Sequence, residues 1–401
     1  MTAATPHPPH PHERRNVGLL VACQALFMTG QSMLIILSGL VGVMLAPDPA
    51  LATLPVSAVV VGTTLTTIPA SLLMKRVGRR PGFMLAAVIG SMGAATAAWA
   101  IYLGWFWLFT LGTLIIGINA GFSQYYRFAA ADAAGPAFKA RAVSYVVAGG
   151  IVAAIAGPSL AKWTADLFAP ITFMGAYVTV ACLALITTLV LSRLDLPHLT
   201  AEERRSSGRP LGVIMRQPVF VVAVLGAMVG YGVMSLVMTA TPLAMVGCGF
   251  DRADAADVIR WHILAMFVPS LFTGNLIQRF GVLQVMMTGV ALLGVCAAFA
   301  VSGVELANFS LALVALGLGW NFTFVGASTL LTETYEPAER AKTQAANDFL
   351  VFGTVATASL SSGAVLHLFD WFAVNWLSLP FVAIAGTAMA WLFLKRRAGA
   401  L

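Results

Sequence analysis

The sequence predicts an all-α membrane protein of twelve transmembrane helices, arranged as two parallel sets of six. Three observations predict it: the composition, the spacing of apolar runs, and a repeat across the chain midpoint. Of 401 residues, 59% are hydrophobic and 10% charged, whereas a soluble domain carries about 25% charged residues. Mean hydropathy is +0.88. A helix needs about 20 apolar residues to cross the hydrocarbon core. Runs of that kind fall at 17–45, 52–74, 81–101, 105–131, 142–162, 172–192, 218–246, 255–277, 282–302, 307–332, 343–366 and 373–394. The longest connection, SRLDLPHLTAEERRSSGRP and its flanks, is polar and central.

Four segments follow. They are a His/Pro-rich tail at 1–16, a six-helix bundle at 17–192, a linker at 193–217, and a second bundle at 218–397. Positive charge orients them. With the N-terminus inside, nineteen of the 23 Lys and Arg residues fall in cytoplasmic segments, and only Arg127, Lys162, Arg252 and Arg260 do not. Both termini are therefore cytoplasmic. The net charge of +7 is accounted for by these topology signals and does not imply nucleic acid. Trp105, Trp107, Trp163, Trp261 and Trp371 sit near outer helix ends, as an aromatic belt requires. The first fifteen residues lack the charged-then-apolar order of a cleavable signal.

The strongest chemical signal lies in the seventh and eighth runs. Met234 and Met238 in GYGVMSLVM, and His262 and Met266 in RWHILAM, are each spaced i, i+4. Such pairs share one helix face. Thioethers favour Cu(I), and imidazole also suits copper. Counted from the outer helix ends at about 1.5 Å per residue, Met238 matches His262 in depth and Met234 matches Met266. The plain alternative is packing, because Met commonly fills gaps between helices. Cys248 and Met245, at the outer end of the seventh run, are further candidate copper ligands at the point of entry.

The halves repeat. LLMKRVG (Leu72–Gly78) aligns with NLIQRFG (Asn275–Gly281), and DAAGPAFKAR (Asp132–Arg141) with ETYEPAERAK (Glu333–Lys342). All four fall in cytoplasmic loops. With the loop Ser71–Arg80, this 6+6 pattern resembles the major facilitator superfamily and implies its fold, with alternating access. Two departures stand out: Ser71 replaces the usual Gly and Lys75 the usual Asp. The acidic partner is also missing at Gln278 in the second half, which puts gating by that ion pair in doubt. The Met and His pairs resemble those of CcoA-like copper importers, a branch of this superfamily. That resemblance implies Cu(I) as the transported substrate, with no resident cofactor and support of haem-copper oxidase assembly. It further implies a monomer in the bacterial cytoplasmic (inner) membrane, with the bilayer and a copper chaperone as partners. Riboflavin carriers are related to the same branch. A small organic solute such as riboflavin, or a metal sensor or assembly factor that transports nothing, therefore stays open.

Charges within helices are few and costly in a bilayer. Asp348 is the candidate proton relay, Arg127 a candidate inner gate, and Arg76 and Arg279 the basic residues of the repeated loop. Asp132 and Glu333 close the fourth and tenth helices. Asn119, Gln124, Trp320 and Asn321 are expected to line a cavity, by the same resemblance. Cys23, Cys182 and Cys296 read as packing residues, with no structural disulfide expected. The tail histidines His7, His10 and His12 could catch metal or serve no role, and His198 and His367 read as interfacial. No Gly-rich phosphate loop or catalytic set is present, so neither an ATP-driven pump nor an enzyme is implied.

Overall fold

The computed structural model describes residues 12–48, 51–196 and 208–399, and the regular elements among them are helices. His7, His10 and His198 lie outside the described residues. In chain order the first eight helices are α1 (Glu13–Leu45), α2 (Leu54–Val77), α3 (Arg79–Leu103), α4 (Phe106–Ser123), α5 (Tyr126–Ala133), α6 (Lys139–Ala148), α7 (Gly150–Thr164) and α8 (Met174–Leu191). Within the expected linker lies the short α9 (Leu211–Met215), and after it come α10 (Pro218–Gly247), α11 (Arg252–Phe267), α12 (Ser270–Phe280), α13 (Val282–Val301), α14 (Leu306–Leu331), α15 (Arg340–Leu368) and α16 (Trp371–Arg397). With α4–α5 and α6–α7 each taken as one span, eleven are long and apolar enough to cross a membrane, and the bent pair α11–α12 makes twelve.

Three of the twelve apolar runs, expected as single helices, are interrupted. The eighth bends by 42° between Phe267 and Ser270. Pro269 is the cause: it has no N–H to donate, and its ring clashes with the preceding turn. The fifth breaks at Gly149, beside Gly150, where backbone entropy disfavours helix. The fourth breaks at Gln124–Tyr125, where the Tyr125 hydroxyl donates to the Thr67 carbonyl at 2.7 Å.

The chain divides into two compact units. The first runs to Pro136 and resumes at Gly149 as far as the linker; the second takes Ala137–Ala148 and everything from Gly208 onward. In the first, α3 packs along α4 and α8, α2 along α4, and α1 along α7 and α8. Met33, Leu37, Ala97, Phe109 and Tyr177 are buried at its centre. The Tyr177 and Ser38 hydroxyls lie 2.8 Å apart, so the phenol is not buried unpaired. In the second unit, α14 is the central helix, packed by α10, α11 and α13, while α15 and α16 flank α10.

The repeat inferred from the loops is visible in the backbone. Gly78 between α2 and α3 has φ +96°, and Gly281 between α12 and α13 has φ +95°. Each turns one helix directly into the next, in a region open essentially to glycine alone.

Large apolar side chains such as Leu65, Trp163 and Leu360 are more than two-thirds exposed, as lipid-facing residues are. Two expectations need correction. Trp371 is not a belt residue: it is buried, and its indole N–H donates to the Ala300 carbonyl at 3.0 Å, joining α16 to α13. Cys182 is exposed on α8, not packed, whereas Cys23 and Cys296 are buried.

Within the linker, Arg209 grips Glu339 at the start of α15. Its Nε donates to one carboxylate oxygen at 2.7 Å and its Nη2 to the other at 2.6 Å, the bidentate geometry that suits Arg. The hydrogen bonds from Arg209 hold the Glu339 carboxyl down at about 2, against an ordinary 4.5. The folded value lies below the unfolded one, so this contribution to stability is full above about pH 4.5 and lost as pH falls toward 2. Detergent-solubilised Glu339→Gln protein should melt at a lower temperature at neutral pH. It should also lose less of its remaining stability between pH 4.5 and 2, as tracked by tryptophan fluorescence. Equal acid sensitivity in both proteins would assign the acid loss to other carboxylates.

Candidate functional site

Chemistry-bearing side chains gather in the second unit where α10 and α11 meet α14. The bend in α11–α12 builds one wall. A helix broken at a proline leaves carbonyls without partners, and in a membrane each must be satisfied by protein. Asn321 of α14 does this: its Nδ2 donates to the Met266 carbonyl at 2.6 Å and to Ser270 Oγ at 2.5 Å. Its Oδ1 accepts from Thr273 Oγ1 at 2.6 Å. Asn321, Ser270 and Thr273 are all fully buried. Asn321 was expected to line a cavity; instead it splices the broken helix.

One turn before Met266, His262 is fully buried and its Nδ1 lies 2.8 Å from the Leu313 carbonyl. A carbonyl can only accept, so Nδ1 carries the proton and Nε2 presents its lone pair. Nε2 is buried with no hydrogen-bond partner. The close approach depends on Gly317, where a Cβ would fall 2.7 Å from the His262 carbonyl oxygen. The face of α11 that carries His262 is thus set against α14.

Met234 and Met266 are buried and Met238 is half-buried. The motif helices α10 and α11 touch, yet each packs more extensively on α14 than on the other. The hydrogen bonds that tie down the His262–Met266 segment run to α14, not to the helix of Met234 and Met238. Met245 is buried, whereas Cys248, just beyond α10, is exposed.

An aromatic cluster adjoins both motifs. Trp320 and Phe324 of α14 stack, with centroids 5.1 Å apart and planes 15° apart. Tyr231 of α10 meets Trp320, Phe324 and Phe352 edge-on at 5.4, 5.2 and 5.8 Å. Phe267 of α11 meets Trp320 at 5.7 Å. The Trp320 indole N–H is buried with no acceptor, and Tyr231 is the half-exposed member. Trp320 was singled out in the sequence; Tyr231, Phe324 and Phe352 were not, because aromatic residues in an apolar helix carry no distinguishing local signal.

The candidate coupling residues differ sharply. Asp348 is fully buried in α15, where one oxygen accepts from Asn347 Nδ2 at 2.8 Å. Arg127 is buried in α5; it donates to the Gln124 carbonyl at 2.6 Å and lies 4.4 Å over the Phe128 ring. Arg76 and Arg279 are exposed, and Arg279 lies over the Phe280 ring. The buried basic residue of the first loop is instead Arg79, paired with Asp132 at 2.5 Å. Removing one partner of such a pair typically costs about 3–5 kcal/mol when it is fully buried. Glu333 pairs with Arg396 at 2.7 Å.

The comparisons agree with this architecture. The family model described as Major Facilitator Superfamily matches residues 20–259 and 234–400. The chain is 45% identical over 373 residues to the riboflavin transporter RfnT of Brucella anthropi, covering 92% of this chain and 94% of that protein. It is 31% identical over 349 residues to YdeG, an uncharacterized transporter of Bacillus subtilis, covering 80% and 79%. Among solved structures, the E. coli fucose:proton symporter FucP superposes with a TM-score of 0.76 at 17% identity, covering 94% and 98%. A copper-importer assignment draws no support from these relatives. The chain belongs to the major facilitator superfamily and is a multi-pass secondary transporter, not an enzyme.

Proposed function

We propose that this transporter imports a flat heteroaromatic solute of the riboflavin type by alternating access. The aromatic cluster of α10 and α14 carries the reading. The half-exposed Tyr231 offers a stacking partner at its edge, and the Trp320 N–H requires an acceptor that the described residues do not supply. An isoalloxazine ring has both a π face and carbonyl oxygens at its rim. The 45% identity to a riboflavin transporter over most of both chains supports the same substrate class. In this reading the protein works in the bacterial cytoplasmic membrane with both termini inside, needs no resident cofactor, and acts as a monomer of two six-helix halves.

A second reading, copper import for haem-copper oxidase assembly, is favoured by His262. Metal-ligating imidazoles commonly donate their other N–H to a backbone carbonyl, as Nδ1 does here toward Leu313. Met234, Met238 and Met266, with Cys248 and Met245 nearer the entrance, would be the remaining soft donors. One experiment separates the readings: uptake of radiolabelled riboflavin and of radioactive copper by cells with and without the protein. Flavin uptake that depends on the protein is the expected result. Copper uptake alone would reverse the order of the readings, and uptake of neither would favour a sensor. In the flavin reading Met238→Ile and His262→Leu should leave riboflavin uptake within about threefold of the parent, since neither residue supplies a ring of the cluster and the described hydrogen bond of His262 runs to Leu313. In the copper reading the same changes should abolish copper accumulation.

A further inference from the structure

The last turns of α16 carry a surface that the transport reading leaves unused. Three basic residues, Lys395, Arg396 and Arg397, end the helix. Cations at this end are favoured by the helix dipole, and Arg396 fits that plain role, pairing with Glu333 at 2.7 Å. Its two neighbours are held differently. The Lys395 ammonium lies 4.7 Å from the centre of the Trp391 ring, and the Arg397 guanidinium 5.6 Å from that of Phe393. Each reaches back four residues, to the ring one turn before it. Among the described residues neither cation has a carboxylate partner.

Beside them runs an apolar strip. Trp391 is 45% exposed and Leu394 63%, and both belong to a helix long and apolar enough to span a bilayer. A helix turns about 100° per residue, so Lys395 stands about 100° to one side of Leu394 and Arg397 about 60° to the other. The exposed leucine is thus flanked by two cations. Folding back also sets their depth. A charge lying over a ring of the span is drawn toward the apolar core, where a cation without a counter-charge is costly. Basic side chains serving only as solvated ends extend the other way, with their heads in water.

We propose that this surface binds one anionic phospholipid, its phosphate held between Lys395 and Arg397 and an acyl chain laid along Leu394 and Trp391. The occupant must join a negative head to an apolar body at the edge of a bilayer. Free phosphate lacks the apolar body, and a zwitterionic lipid offsets its phosphate with a cation of its own. The attraction grows with each basic residue held near the membrane surface. The site is independent of which solute is carried.

The test places the full chain in phosphatidylcholine nanodiscs with a small share of lipid brominated on its acyl chains, which quenches adjacent tryptophan. Brominated phosphatidylglycerol is compared with brominated phosphatidylcholine. The Trp391 signal is the part of the quenching that Trp391→Phe removes, which separates it from the other tryptophans. Phosphatidylglycerol should half-quench that signal at an about tenfold lower mole fraction. Lys395→Gln and Arg397→Gln should each reduce the preference to about threefold, and the double variant should bring the two lipids within about twofold. Lys395→Arg should retain it, because charge decides and packing does not. Inorganic phosphate, matched with chloride for ionic strength, should displace nothing. Equal quenching by the two lipids, a preference kept in the double variant, or release by phosphate would overturn the site. The comparison of lipids on the unmodified protein needs no change of charge, so it decides the proposal even if the glutamine variants fail to insert.

Discussion

Replacing Trp320 by leucine should lower riboflavin uptake roughly ten- to a hundredfold, with expression in the membrane unchanged. Two losses combine. The aromatic contact contributes about 0.5–1.5 kcal/mol beyond burial, and a hydrogen bond from the indole to a ring carbonyl about 0.5–1.5 kcal/mol. Trp320→Phe separates them, because it keeps a ring beside Tyr231 and Phe324 but removes the N–H. It should show the smaller, hydrogen-bond share of the loss. Uptake by the leucine variant within twofold of the parent would remove the cluster from the transport path. A loss that appears equally in protein abundance would instead mark Trp320 as a packing residue of the second unit, in which it is already buried.

Asp348→Asn should abolish uptake driven by an imposed pH gradient while sparing exchange of substrate across a membrane without one. A carboxyl in the middle of a spanning helix is costly unless it is paired or used. Asp348 is fully buried and accepts from Asn347 Nδ2 at 2.8 Å. Asparagine matches its shape and carries no exchangeable carboxyl proton. Proteoliposomes with a pH jump, and counterflow without one, separate coupling from binding. Loss of both activities would make Asp348 structural, and full activity in both would remove it from the coupling path.

Twelve spans were legible because each apolar run declares itself by length, and the halves by a repeat that recurs in two loops. The interruptions were partly legible: Pro269 stands in plain sight within the eighth run. What the sequence could not convey was which helix each motif faces. The matched depths of Met234, Met238, His262 and Met266 suggested that α10 and α11 face one another. Those two helices do touch, but the hydrogen bond of His262 runs to α14, whose Leu313 carbonyl and Gly317 are ordinary residues until the fold brings them to it. In the signature loop, attention fell on Arg76 because of the resemblance. Arg79, three residues on, is the one whose partner Asp132 comes from a distant helix. Asn119 lines a cavity in the first unit; Gln31 passed unnoticed, since a single amide in α1 means little until it is found lining the same one.

The two glycines at the helix-to-helix turns bear on how substitution data should be read. Gly78 and Gly281, with φ +96° and +95° and ψ 160° and 151°, lie where even alanine is strained. A saturation survey scored by growth would therefore rank both as intolerant to nearly every replacement, alongside the residues that touch the solute. Intolerance at these two sites would report chain geometry, and a yield measurement run in parallel would reveal it, since fewer molecules would reach the membrane while each survivor transported at the parental rate. A homologue search filtered on these two glycines would in turn recover relatives by backbone shape, whatever each of them carries.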